Sequence, residues 1–272
     1  MAYITSDNNY STNKFIVSST AGQGNYTTIA SAIAAASSGD TIFIKPGTYT
    51  ENITMVAGVN LSSDIVGATT PNVIINGTVT CNYTGACSCD GICFQTNSAA
   101  AINSASGTPV LELTDCSFAC TSNTYCITAS NTSFTLKAYN CTATSNLATR
   151  TLYSFGGISS ALFSGCNFGN LGANVTEACL QYSNKASFEN CVNSFPLKTN
   201  GTGYVIINNS SFDTSGANVN CLTVNNATTG VSQISNSTLS SGSASGIRIG
   251  AGTTTYTSYI SYYNSATYDI QS

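Results

Sequence analysis

The sequence has little charge and no histidine. Among its 272 residues there are seven Lys and Arg, eleven Asp and Glu, and no His. Nucleic-acid binding rests on basic groups that neutralise phosphates, so this composition argues against a nucleic-acid partner. No apolar run reaches the roughly 20 residues that a membrane-spanning helix needs, so no membrane insertion is expected. The surface must consist largely of Ser, Thr, Asn, Gly and Tyr, a neutral exterior that suits contact with sugars or with copies of itself.

The beginning of the chain shows no secretory signal. The stretch MAYITSDNNY has neither the basic segment nor the apolar segment of an export signal. Residues 1–14 are polar and patternless, and they are predicted to form a flexible arm. Residues 15–272 are predicted to form one domain.

A cysteine repeat is the main pattern that the sequence does contain. Four of the twelve cysteines follow one another at intervals of 25 residues. The series continues toward the C-terminus as Asn-Ser pairs with more variable spacing. A period of this length is typical of stacked repeat architectures. The predicted structural ladder consists of Cys116, Cys141, Cys166, Cys191, Asn140, Asn190, Asn209, Asn236 and Asn264.

Apolar residues recur at fixed offsets from this ladder, two residues apart within each repeat. A period of two is the pattern of one face of a β-strand. Because the same face returns once per repeat, the units are predicted to stack as a parallel β-helix around a continuous buried column. The residues three positions before the Cys or Ser are Leu113, Ala138, Phe163, Phe188, Ile207, Ile234 and Tyr262.

A second strand series supports the same architecture. One of its intervals, from Leu180 to Leu197, is short, and it coincides with a short interval between Cys191 and Ser210 in the first series. One truncated coil explains both. The members of the second series are Ile127, Leu152, Leu180, Leu197, Leu222 and Ile247.

The residue types of the ladder suit the corner of a coil. Asparagine tolerates left-handed backbone and bonds its own chain, and stacked Asn side chains also bond along an axis. Cysteine behaves as a small buried hydrophobe. Packing is therefore favoured over metal binding or redox chemistry for the stacked cysteines, since sulfurs in a row do not make a tetrahedral site and no histidine can complete one.

A separate cysteine cluster lies in the segment CNYTGACSCDGIC, residues 81–93. Its spacings do not match the paired C-x-x-C pattern of a zinc site. The segment is predicted to be a loop with one or two disulfides, or with free thiols. No metal site and no cofactor are expected.

The segment before the first coil is predicted to be a capping helix. Thr27 or Thr28 can cap a helix over about residues 27–38, in which Ile29 and Ile33 share one face and Gly39 ends the run. The coils are then expected over about residues 40–268. Such a helix would cover the apolar open end of the β-helix and prevent end-to-end aggregation.

This segment resembles the opening of pectin-lyase-like right-handed β-helices. In that superfamily a stretch of the form TIxxAIxxAxxGDTIxIxPGTYxEN opens the solenoid. It is matched here by Thr28-Ile29, Ala32-Ile33, Ala36, Gly39-Asp40-Thr41-Ile42 and Pro46-Gly47-Thr48-Tyr49. The resemblance implies an all-β, single-stranded, right-handed parallel β-helix. The Ser/Thr/Asn-rich coils are also similar to β-helical modules of phage and viral fibres or spikes, and related modules occur in bacterial surface proteins.

The superfamily resemblance also raises an enzymatic alternative, since it includes polysaccharide lyases, pectin esterases and glycoside hydrolases. Hydrolases of this kind need two carboxylates close together. Glu112 and Lys137, 25 residues apart, are expected to form an outward ion pair. Asp115 is interpreted as a corner residue, and Glu189 has no second acid at its strand position. No coil offers two acids and a base, so no catalytic residues are assigned and a non-enzyme is expected.

Tyrosines crowd the predicted last coil. A tyrosine offers a flat apolar body with a polar tip, which suits a subunit contact or a sugar. The alternative is a C-terminal cap or ordinary strand surface. The residues assigned to a possible interface are Tyr256, Tyr259 and Tyr263.

Together these patterns lead to the expectation of a structural protein. The chain is expected to be a fibre, spike or surface-decoration subunit of a virus or phage, at the virion or an extracellular surface. Its partners would be itself, as a homotrimer or filament, and host cell-surface glycans. The alternatives are a polysaccharide lyase or hydrolase of the pectin-lyase-like superfamily, and a bacterial adhesin or self-assembling filament subunit.

Overall fold

The computed structural model describes residues 15–65, 72–96, 100–120, 126–143, 153–155, 160–168, 185–193, 197–201, 204–214, 222–226, 233–241, 247–249, 257–262 and 270–271. Within these residues, the regular secondary structure is β-strand apart from one short helix. No helix in this part of the chain has the length and apolar character to cross a membrane.

The helix and strands are short, as expected when each coil turns several times. The helix is α1 (Ile29–Ala35). The strands are β1 (Ile16–Val17), β2 (Thr41–Ile44), β3 (Gly47–Tyr49), β4 (Ile53–Thr54), β5 (Asn60–Ser63), β6 (Val73–Asn76), β7 (Val79–Thr80), β8 (Thr84–Asp90), β9 (Ile92–Thr96), β10 (Ile102–Ser104), β11 (Thr108–Thr114), β12 (Ser117–Cys120), β13 (Ile127–Ala129), β14 (Thr135–Tyr139), β15 (Thr142–Ala143), β16 (Tyr153–Phe155), β17 (Ser160–Ser164), β18 (Asn167–Phe168), β19 (Lys185–Glu189), β20 (Val192–Asn193), β21 (Leu197–Gly201), β22 (Tyr204–Asn208), β23 (Ser211–Thr214), β24 (Leu222–Asn226), β25 (Gln233–Ser241), β26 (Ile247–Ile249), β27 (Thr257–Tyr262) and β28 (Ile270–Gln271).

The strands stack as successive coils of a right-handed β-solenoid, which confirms the predicted fold. Every pairing among the described strands is parallel, and each strand pairs with its counterparts one coil before and one coil after. Along one face the order is β2, β5, β8, β11, β14, β17, β19, β22, β25 and β27. Smaller sheets close the other side of the coil, β4-β7-β10-β13-β16 near the N-terminus and β21-β24-β26-β28 near the C-terminus.

The predicted register holds through most of the first series. Leu113 pairs with Ala138, and the column continues through Phe163, Phe188, Ile207 and Ile234. All six side chains are buried. The prediction for the last coil is wrong, because Ile234 pairs with Ser258 and Tyr262 pairs with Leu239. The register slips between Ser235 and Ser237, where β25 carries one residue more than β27.

The second series is also close to its predicted register. Leu197, Leu222 and Ile247 are partners in β21, β24 and β26. Ile127, however, pairs with Tyr153 and not with Leu152, one residue from the prediction.

The core is the column enclosed by the coils. Alternate residues of each strand point inward and are buried, as in β14, where Leu136 and Ala138 are buried between partly exposed neighbours. Aromatic rings continue the column from coil to coil: the rings of Phe163 and Phe188 stack with centroids 4.9 Å apart. The outward-facing residues of each strand are not needed for the core, so they can bind ligands or take part in catalysis.

The N-terminal end of this column is covered by α1. Thr28 is the N-cap residue, and its side chain accepts a hydrogen bond from the backbone N–H of Ser31. The carboxylate of Glu51 accepts two more, from the N–H of Ile29 at 2.8 Å and from the N–H of Ala30 at 3.0 Å. Ile29 and Ile33 are buried. The first coils therefore accept hydrogen bonds from the N–H groups at the start of the helix, and they bury its apolar face.

Candidate active site

From β8 to β25, each coil of the long face turns at one residue with left-handed backbone. Most L-residues avoid this conformation, whereas glycine adopts it freely and Asn and Asp tolerate it. The residues in this position, called here the turn ladder, are Gly91 (φ 66°), Asp115 (φ 50°), Asn140 (φ 53°), Gly165 (φ 65°), Asn190 (φ 54°), Asn209 (φ 47°) and Asn236 (φ 48°). Asn264 lies outside the described residues.

Hydrogen bonds tie the turn ladder together along the axis. The backbone N–H of Asp115 donates to the carbonyl of Tyr139 at 3.0 Å. The N–H of Asn140 donates in the same way to Ser164 at 2.9 Å. Asn140 also lies over Gly165, where a Cβ would come within 2.5 Å of its Oδ1. Backbone geometry and local bonding therefore explain Asn and Gly at this position.

The residue after each turn forms the cysteine ladder. Cys116, Cys141, Cys166 and Cys191 are buried. Each thiol donates to the carbonyl two residues before it, as Cys191 does to Glu189 at 3.3 Å. A hydrogen bond to the neighbouring Cys141 thiol and burial raise the pKa of Cys166 to about 12. Protonated, buried thiols of this kind are poor nucleophiles.

Serine fills the same position in the later coils and makes the same bond. The hydroxyl of Ser210 donates to the carbonyl of Asn208 at 2.9 Å, and that of Ser237 donates to Ser235 at 2.6 Å. The fold therefore requires a small side chain with a hydrogen-bond donor at this corner, and either a thiol or a hydroxyl group meets that requirement.

The cysteine cluster of residues 81–93 is not the loop that was predicted. Its residues lie largely in β8 and β9, and Cys81, Cys87, Cys89 and Cys93 are buried free thiols. They face inward or pack under neighbouring coils because alternate residues of a strand point into the column. In the described part of the chain, no group of three or more His, Cys, Asp or Glu could hold a metal ion.

A carboxyl pair lies where β8 and β11 end. Asp90 is the last residue of β8, and its register partners are Ser62 and Thr114. Asp115 follows Thr114 directly, so the two acids are diagonal neighbours on adjacent coils. Parallel strands lie about 4.8 Å apart with a rise of about 3.3 Å per residue, which places the two Cα atoms about 6 Å apart.

The two carboxyl groups interact electrostatically. Burial raises the pKa of Asp90 above its usual range, and the negative charge of Asp115 raises it further. Asp90 is partly buried, whereas Asp115 is exposed in its turn. Both effects favour the protonated form of Asp90 relative to an isolated aspartate.

Sequence reasoning assigned Asp115 to the corner and missed its partner. Carboxylates on the same face of adjacent coils were considered, but Asp90 was not paired with Asp115 because the two acids are offset by one strand position. The signal was present, because Asp90 and Asp115 are separated by 25 residues, the interval of the cysteine ladder.

Other charged residues on this face are arranged differently. Lys137 lies 3.7 Å from Glu112 in an ion pair whose side chains are 41% and 44% exposed. Such an exposed pair contributes little to stability. Glu189 occupies the strand position of Asp90 several coils farther along, and its register partners are Ser164 and Asn208.

The tyrosines of the possible interface are only partly placed. Tyr259 lies in β27 opposite Ser235. Tyr256 and Tyr263 lie outside the described residues.

Solved structures with a similar fold were found, although no family model and no curated protein matches the chain. Pectin methylesterase from Aspergillus niger superposes with a TM-score of 0.51 at 17% identity, over 96% of this chain and 89% of that one. The chain has the pectin-lyase-like parallel β-helix fold. The PL6 family alginate lyase AlyGC gives a TM-score of 0.49 at 11% identity, over 89% of this chain and 38% of that one. Pectin methylesterase from carrot gives 0.40 at 16% identity, over 93% and 89%.

This comparison contradicts the expectation of a non-enzymatic structural subunit. The Aspergillus niger structure, which superposes with a TM-score of 0.51, is that of an enzyme, a pectin methylesterase. The repeat that suggested a viral or phage fibre, spike or decoration protein is equally the scaffold of such enzymes. A stack of coils alone therefore does not distinguish a fibre from a catalyst. A homotrimer or filament, glycan contact and a virion or extracellular location stay predictions.

Proposed function

We propose that this β-helix protein is a polysaccharide hydrolase in which Asp90 and Asp115 are the catalytic carboxyl pair. The observation that carries the proposal is the placement of two acids on adjacent coils, Asp90 partly buried at the end of β8 and Asp115 exposed in the turn after β11. Burial and the charge of Asp115 raise the pKa of Asp90, which suits a proton donor. Glycoside hydrolysis needs one protonated and one ionised carboxyl group on either side of the scissile bond. A partly buried carboxyl group with a raised pKa beside a second carboxyl group is characteristic of acid–base pairs in enzymes.

The roles follow from the environments. Asp90, the partly buried acid, would give its proton to the departing glycosidic oxygen. Asp115, exposed at the turn, would act on the sugar carbon. Retaining hydrolases hold their carboxyl groups about 5–5.5 Å apart, and inverting ones about 6.5–9.5 Å apart. The two Cα atoms, about 6 Å apart, accommodate either arrangement, so Asp115 would act as the nucleophile or as the base that activates water.

The hydrolase is favoured over a lyase by the surrounding residues. The resemblance to this superfamily implies that a lyase would need acidic calcium ligands with a basic residue beside them. Among the described residues no group of acids could hold a metal, and Lys137 is already paired with Glu112. The fold of the Aspergillus niger pectin methylesterase supports chemistry on a polysaccharide, without specifying which bond is cleaved.

The test is product analysis with the purified full chain on a panel of polysaccharides. New reducing ends with saturated products are expected from wild type, and their release is expected to fall as the pH rises and Asp90 loses its proton. Asp90→Asn and Asp115→Asn should each abolish it, whereas Glu189→Gln, an exposed acid of the same face, should not. Unsaturated products would identify a lyase, and released alcohol without chain cleavage would identify an esterase; either would contradict the proposal, as would no product.

A further inference from the structure

The surface around the carboxyl pair indicates what kind of sugar it would accept. Outward residues of three adjacent strands form the surface, called here the outer patch: Ser88 and Asp90 on β8, Glu112 and Thr114 on β11, and Lys137 and Tyr139 on β14. The inference below rests on the proposed hydrolase function and adds the class of substrate and a residue that recognises it.

Charge in the outer patch is unfavourable for an anionic chain. Asp115 lies at its edge and Glu112 lies within it, whereas Asp90 adds negative charge only when it has lost the proton that it would donate. Its one cation, within the described residues, is Lys137, whose ammonium group is 3.7 Å from the carboxylate of Glu112. Like charges that lie close together at a protein surface repel each other. A uronate carboxylate would therefore meet negative charge without a free cation.

An apolar contact is available one coil beyond Asp115. Tyr139 alternates with the buried Ala138 on β14, so it lies on the outward side, partly exposed. Its carbonyl accepts the bond from the N–H of Asp115, which fixes the two residues next to each other. Leu162, partly exposed on β17, is the register partner of Lys137 and adds apolar surface beside Tyr139. A flat aromatic face with a polar edge suits the C–H face of a pyranose ring.

We infer that the substrate is an uncharged polysaccharide. Its scissile bond would lie between Asp90 and Asp115, and Tyr139 would bind a sugar next to that bond. The two observations are independent, since one concerns charge and the other shape. Tyr139 is a specificity residue in this account, because its ring is on the substrate-facing side and carries no proton to the reacting bond.

The substrate class is tested by comparing initial rates on neutral glucan, xylan, galactan and mannan with rates on polygalacturonate and alginate. Cleavage of at least one neutral polymer and of neither polyuronate is expected, with little dependence on salt. Faster cleavage of a polyuronate that is lost in Asp90→Asn would overturn this inference and leave the hydrolase proposal standing. Absence of cleavage from every polymer would overturn both.

The role of Tyr139 is tested by kinetics on the neutral polymer that is cleaved fastest. Tyr139→Ala should raise KM by roughly two- to ten-fold and leave kcat nearly unchanged, because only sugar contact is lost. Tyr139→Phe should keep the wild-type KM. Val192→Ala, which trims an exposed apolar side chain elsewhere on the β-helix, is the matched control. An unchanged KM in Tyr139→Ala, or a KM rise equal to that of the control, would overturn the assignment.

Discussion

The coil that ends at Asp115 and the coil that ends at Asn140 make the same turn with different chemistry. Both residues have left-handed backbone, with φ of 50° and 53°, and both donate their N–H to the next coil. Asparagine satisfies this geometry without charge, as it does again at Asn190 and Asn209. The carboxylate of Asp115 is therefore not required by the fold, and it stands beside a second acid. A residue that departs from its ladder without a structural reason is a candidate for function.

The largest expected effect comes from making the two coils alike. Asp115→Asn gives the first turn the residue of the second, so the unfolding free energy should stay near that of wild type. Hydrolysis should fall by roughly 100- to 10,000-fold, because one member of a catalytic carboxyl pair is lost. Urea unfolding and reducing-end assays on the same sample measure both. A stable variant with full activity would remove Asp115 from the site.

A smaller effect is expected from breaking the backbone requirement that the coils share. Asn140→Ala places alanine, whose side chain cannot form a local hydrogen bond, in left-handed backbone. The substitution should lower the free energy of unfolding by about 1–2 kcal/mol. Asn140→Gly, which copies Gly165 in the same ladder, should cost less. Equal losses in the two variants would show that φ does not limit this position.

The stability of the protein should depend little on whether sulfur or oxygen makes the hydrogen bond at the position after the turn. Cys141→Ser should lower the free energy of unfolding by less than about 1 kcal/mol, because the new hydroxyl can donate to the carbonyl of Tyr139 as Ser210 does to Asn208. Cys141→Ala loses the donor and should cost more. Chemical denaturation orders the two, and a more stable alanine variant would mean that the corner bond is unimportant.

The smallest expected effect is the dependence of stability on pH. The folded protein raises the pKa of Asp90, so at neutral pH its ionised form lowers stability relative to the unfolded chain. Asp90→Asn should therefore be more stable than wild type at neutral pH. The difference should disappear as the pH falls below the ordinary pKa of aspartate, where the carboxyl is protonated in both states. A constant difference across this range would show that charge is not its cause.

The fold was predictable because the length of one coil recurs as a regular interval between residues of the same type in the sequence. Equal cysteine intervals fix the register of neighbouring coils, and the buried column from Leu113 to Ile234 follows from it. The last coil was mispredicted because its partners differ from the predicted ones before any bulge: Ile234 pairs with Ser258, four residues before the predicted Tyr262, and the extra residue near Asn236 shifts the later partners by one more.

The site was harder to predict because its two acids lie on adjacent coils and are offset by one strand position. Asp90 pairs with Thr114, so an alignment by strand position separates it from Asp115. Burial and charge interaction appear only once the coils are stacked. The function was mispredicted for a related reason: the repeat specifies the scaffold, whereas the chemistry lies in the few side chains that depart from it.

The most direct test of the account is a side-chain carboxyl titration of Asp90 by NMR in wild type, Asp115→Asn and Glu189→Gln. The account predicts a raised pKa for Asp90 in wild type, a lower one in Asp115→Asn, and the wild-type value in Glu189→Gln. An ordinary pKa for Asp90 in wild type, or one that does not respond to Asp115→Asn, would contradict the carboxyl pair and with it the proposed hydrolase.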